Sequence, residues 1–102
     1  MITSYNVDIP DDAVQHNLYR IGNQIFKLLP MREEDKDWRK PLETLIVELL
    51  GMGSLFSEQK TFLTLASKLE GLKVSSDIDF FLYRRVIFEC CGLVDELKKT
   101  CL

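Results

Sequence analysis

Residues 76–101, SDIDFFLYRRVIFECCGLVDELKKTC, carry the reading that decides the fold. Tyr83, Ile87, Cys90, Val94, Leu97 and Cys101 follow one another in steps of 4, 3, 4, 3 and 4. That spacing places them along one side of an α-helix, because residues three and four apart share a helical face. The start, Ser76-Asp77-Ile78-Asp79, resembles a capping box with Asp in place of Glu. A long helix running to about Lys99 is therefore expected.

The same arithmetic repeats upstream. Val14, Leu18, Ile21, Ile25 and Leu28 step by 4, 3, 4 and 3, and Tyr19, Phe26 and Leu29 widen the stripe. Asp8-Ile9-Pro10-Asp11-Asp12 reads as its start, with a capping Asp, a proline in the first turn and acids at the positive helix end. Pro30 is expected to close it, leaving residues 31–36 as a charged linker. Asp37 then reads as a cap, and Pro41 fits only within the first turn of a second helix. The stripe of that helix is Trp38, Leu42, Leu45, Ile46 and Leu49, and Gly51 and Gly53 should end it. A third helix is expected from near Ser57 to Gly71, with Phe62, Leu65, Ala66 and Leu69 on one side.

No segment alternates with period two between hairpin turns, and no repeat of fixed period appears. The fold class is all-α: a compact bundle of about four helices, mostly antiparallel neighbours. Residues 1–8 form a short non-helical N-terminal arm, and residues 9–102 a single helical domain.

Composition bounds the function. A chain of 102 residues with 46% hydrophobic content supports one core. A net charge of -3 is too small, and the apolar fraction too high, for a disordered chain. An excess of 16 acidic over 13 basic residues disfavours a protein that holds nucleic acid by counterion release. The chain opens Met1-Ile2-Thr3-Ser4-Tyr5, without the basic and apolar regions of a secretory signal. No apolar stretch approaches the roughly 20 residues that span a bilayer. Three cysteines, two of them adjacent at Cys90 and Cys91, fit reduced thiols better than a disulfide framework. A cytoplasmic location is expected.

The residue types that carry chemistry are sparse. His16, the one histidine, falls on the polar side of the first helix with Arg20, Asn23 and Lys27, as a solvated side chain would. Cys90 and Cys91 lack the C-x-x-C spacing that lets two thiolates converge, and Cys90 sits within the apolar stripe. All-α nucleotide pyrophosphohydrolases that hold magnesium use clustered acids from facing helices, E-x-x-E on one and E-x-x-D on another. Here Glu33, Glu34, Asp35 and Asp37 lie in the expected linker, Glu43 and Glu48 are five apart, and Glu89, Asp95 and Glu96 do not repeat the spacing. Gly51-Met52-Gly53-Ser54 lacks the lysine and the preceding strand of a phosphate loop. No catalytic residue, cofactor or metal site is expected.

One surface stands out. Phe81 and Phe88, seven apart, fall on the polar side of the last helix, with Arg84 and Arg85 three and four residues from each. Three accounts compete for them. The N-terminal arm or the first helix covers them as a second buried face; they form a contact patch for another protein or a second copy of this chain; or the rings stack on bases while the arginines meet phosphate. Aromatic and arginine side chains are enriched at interface hot spots. The expected function is thus a non-catalytic helical interaction module, an adaptor or a regulatory or inhibitory accessory subunit, acting through Phe81, Arg84, Arg85 and Phe88. The alternatives are a nucleic-acid-associated accessory protein using Arg39, Lys40, Arg84 and Arg85, and a magnesium-dependent all-α nucleotide hydrolase.

Overall fold

The structure is a computed structural model that describes residues 1–74 and 79–100. It contains four helices, α1 Asp11–Glu33, α2 Arg39–Leu55, α3 Thr61–Val74 and α4 Phe80–Thr100. Each packs on the next, and α4 closes against α1. Contacts between named residues fix the directions. Gln15 donates to the Lys98 carbonyl oxygen and Tyr83 to that of Leu28, so α1 and α4 are antiparallel. Arg20 pairs with Glu48 across α1 and α2, and Lys73 with Glu43 across α2 and α3. The result is an up-down-up-down four-helix bundle.

The apolar stripes converge on the axis. Leu18, Ile21, Ile25 and Leu28 from α1 meet Leu42, Leu45 and Leu49 from α2, and each is at most 2% exposed. Phe62, Leu65 and Leu69 of α3 and Tyr83, Ile87 and Cys90 of α4 are buried to 0% exposure. Burying a side chain of this size contributes roughly 1.5–3 kcal/mol, so these stripes supply the main driving force for folding.

Several expected boundaries move. Helix α1 does not stop at Pro30 but runs to Glu33, with Pro30 in its last turn. A proline there forgoes only one helical hydrogen bond, near an end that is already short of partners. The chain reverses afterwards through Asp35, whose φ is 57°. Met31 and Arg32, expected in a linker, are therefore helical and partly buried.

Gly51 and Gly53 do not end α2, which continues to Leu55. Gly53 is a close-approach residue instead: a Cβ there would lie 2.8 Å from Leu63 Cδ2 on α3. Gly71 likewise lies inside α3, which starts at Thr61, not near Ser57. The Asp37 carboxylate accepts from the backbone N–H groups of Arg39 and Lys40, and Pro41 falls in the first turn, as expected. Asp79 Oδ1 accepts from the Phe81 N–H at the start of α4. Ser76, Asp77 and Ile78 of the expected capping box, and Cys101 of the last stripe, lie outside the described residues.

The N-terminal arm is folded back on itself. Thr3 is 5% exposed; its N–H donates to the Val7 carbonyl oxygen, and its Oγ1 accepts from the N–H groups of Tyr5 and Val7. Asn6 makes the turn with a φ of 61°, a left-handed conformation that Asn tolerates better than most side chains. Ser4 then ties the arm to the α2–α3 turn, donating from its N–H and its Oγ to the Leu55 carbonyl oxygen. Ser4 Oγ also accepts from the Ser57 N–H.

Candidate functional site

Phe81 and Phe88 are off the core. Phe81 is 75% and Phe88 45% exposed, whereas Tyr83 and Ile87 between them are fully buried. The difference follows from the wheel: at 3.6 residues per turn, positions 81 and 88 point away from the side that carries 83, 87 and 90. The arm does not reach them. It docks on the α2–α3 turn beside the N-terminal end of α1, while Phe81 stands at the opposite end of the bundle. The account in which the arm covers this face is thereby corrected. Helix α1 supplies only an edge, the Phe26 ring, 6.2 Å from Phe88 in a T-shaped arrangement.

Arg84 and Arg85 are both exposed and differ in their partners. The Arg84 guanidinium lies over the Phe88 ring at 5.0 Å. Arg85 Nε is 3.5 Å from Glu89 Oε1, and Glu89 also receives Lys68 Nζ at 3.1 Å from α3. One carboxylate thus serves two cations, and the Phe81 to Phe88 surface has a local positive excess on an acidic chain.

The aromatic surface is wider than the last helix alone. Tyr19 and Phe26, expected to widen the core stripe of α1, are 60% and 51% exposed. They lie toward the outer edge of the α1–α4 contact, with Lys98 Nζ 5.2 Å from the Tyr19 ring. Only Leu29 of that trio is buried. The signal that distinguishes them is position: Tyr19 and Phe26 are seven apart and fall outside the arc of Val14, Leu18, Ile21 and Ile25.

Next to Phe81, the end of the bundle holds an aromatic cluster. Phe80 is 6.4 Å from both Phe81 and Tyr83, and Trp38 meets Tyr83 edge-on at 5.0 Å. Arg32 lies over Tyr83 at 4.6 Å and over Trp38 and Phe80 at 5.8 Å. Arg39 covers Trp38 at 4.5 Å. The sequence reading missed this cluster because residues 31–36 looked like a solvated linker. Comparison with family models, with curated proteins and with solved structures finds no match.

The residues of the two alternative readings are placed as follows. Arg39 comes to the same end as the start of α4 through Trp38 and Tyr83. The Asp37 and Asp79 carboxylates accept from backbone N–H groups of the helix starts at that end, and Lys40 is exposed. Among the described residues, no three His, Cys, Asp or Glu side chains are grouped closely enough to hold a metal ion. His16 is exposed on α1.

Cys90 is free and fully buried, and burial pushes its thiol up to about 12. Cys91, partly buried, is raised for the same reason. A thiolate nucleophile is disfavoured at both positions near neutral pH. An open groove between α1 and α2 is lined by Met31, Pro41 and Leu45, with Lys27 among its polar groups. No histidine or cysteine lines it, and its acids Glu34 and Glu48 are paired with Lys36 and Arg20. No helix among the described residues is long and apolar enough to cross a membrane.

Proposed function

We propose that this chain is a non-catalytic helical interaction module, an adaptor or a regulatory or inhibitory accessory subunit. It works through the face that carries Phe81, Arg84, Arg85 and Phe88. One observation carries the reading: Phe81 and Phe88 of one helix are 75% and 45% exposed, whereas Tyr83 and Ile87 between them are buried. Large apolar side chains left in water beside arginines have the composition of interface hot spots. Tyr19 and Phe26 extend the same surface onto α1. The reduced cysteines fit a cytoplasmic setting.

The experiment is the double substitution F81S/F88S in the full chain. Association with the partner, whether another protein or a second copy, is lost while the far-ultraviolet helical signal remains. A variant that unfolds instead assigns the rings to the core and ends the reading.

A further inference from the structure

The outer line of α4 has an internal symmetry. Phe81, Phe88, Gly92 and Lys99 succeed one another in steps of 7, 4 and 7. At 100° per residue they fall within about 40° of one line, on the side of the helix away from Cys90. Two charged pairs flank that line, Arg84 and Arg85 in the first half and Asp95 and Glu96 in the second. Positions 84 and 96, 85 and 95, 88 and 92, and 81 and 99 are each symmetric about position 90.

We propose that two copies of this chain pair through the outer faces of their α4 helices, antiparallel and isologous, about a two-fold axis level with position 90. The inference rests on the reading of this face as a contact surface and names its occupant. A two-fold axis at that level brings each residue opposite its symmetric counterpart. Arg84 then faces Glu96 of the second copy, about 9 Å along the axis from position 90, and Arg85 faces Asp95, about 7.5 Å from it, at 1.5 Å per residue. Phe88 faces Gly92, and Phe81 faces the aliphatic stem of Lys99.

The charges are available for this. Among the described residues, neither Arg84 nor Glu96 has an ion-pair partner within the chain. Arg85 and Asp95 have only loose local ones, at 3.5 Å to Glu89 and 3.7 Å to Lys98, and are 76% and 68% exposed. Gly92 provides the notch. It is exposed in mid-helix, a place where glycine weakens a helix, and a Cβ there would meet nothing within 4 Å. The chain's own packing does not require a glycine at 92, whereas an apposed phenyl ring needs the space.

Competing arrangements fail on charge. Sliding the pair so that Phe81 meets Phe88 sets Arg84 against Arg85 of the second copy. A parallel pairing brings the arginines of both copies side by side. Of these arrangements, the antiparallel one about position 90 joins opposite charges at both ends.

Sedimentation equilibrium of the full chain from about 10 μM to 1 mM tests it, since a single helix-pair contact implies a Kd on the order of 1–100 μM. The wild type dimerises, and R84E weakens the dimer by about tenfold or more, because two symmetric pairs turn repulsive together. The charge swap R84E/E96R restores it. A wild-type chain that stays monomeric overturns the inference, as does a dimer indifferent to R84E and F88D. Loss in R84E without recovery in the swap overturns the antiparallel register. If the wild type is monomeric, F81S/F88S separates the two failures. A folded double variant leaves the face free for a different protein, and an unfolded one removes the contact reading as well.

Discussion

The Tyr83 hydroxyl donates a buried 2.9 Å hydrogen bond to the Leu28 carbonyl oxygen, joining the first turn of α4 to the last turns of α1. Burial pushes that hydroxyl up to about 12 from an ordinary value of 10.0. The folded chain therefore holds the proton more tightly than the unfolded chain does. The stability this contributes is complete below pH 10 and is lost as pH climbs toward 12. Cys90 acts in the same direction from its ordinary value of 9.0. Urea unfolding followed by circular dichroism should show stability falling above about pH 9. Tyr83→Phe should cost about 1 kcal/mol at pH 7 and show a smaller alkaline loss than the wild type.

Gly51 and Gly53 behave differently on substitution, although both lie inside α2. A Cβ at 51 meets nothing within 4 Å, so Gly51→Ala should stabilise the protein by roughly 0.5–1 kcal/mol. At 53 the added carbon stands 2.8 Å from Leu63 Cδ2, and Leu63 must turn aside. Gly53→Ala should gain less, and Gly53→Val should lose stability. Paired thermal melts decide the point. Destabilisation by Gly51→Ala would mean that α2 stops there.

Arg20 and Glu48 form a forked pair between α1 and α2. Arg20 also donates to Asn17 and Gln24 on its own helix. Both partners are partly exposed, at 39% and 31%, which limits the expected loss in Arg20→Ala to about 1 kcal/mol or less. The loss should shrink in 1 M salt. A salt-independent loss would assign the effect to packing of the arginine stem.

The helical stripes were legible because period is a property of the chain itself. Val14, Leu18, Ile21, Ile25 and Leu28 step by three and four and are all buried. Helix ends were less legible, because the signals used for them depend on surroundings. Pro30 is tolerated in a last turn, and Gly53 serves a neighbouring helix that the sequence does not place beside it. For the same reason spacing alone does not separate Tyr19 and Phe26 from the core: whether an aromatic at the stripe's edge is covered depends on how closely the adjacent helix approaches. Phe81 and Phe88 could be singled out because they lie far off their stripe. The Arg32, Trp38, Phe80 and Tyr83 cluster could not, since it sets the start of α4 against the connection between α1 and α2, far away in sequence.

The central claim is that Phe81 and Phe88 belong to a surface and Tyr83 and Ile87 to the core, on one helix. The most direct measurement compares the unfolding free energy of F81S/F88S with that of Y83A and of I87A by urea titration. The account predicts a loss of about 1 kcal/mol or less for the double surface variant, against roughly 2–5 kcal/mol for each core truncation. A loss in F81S/F88S equal to or larger than those of Y83A and I87A would contradict it.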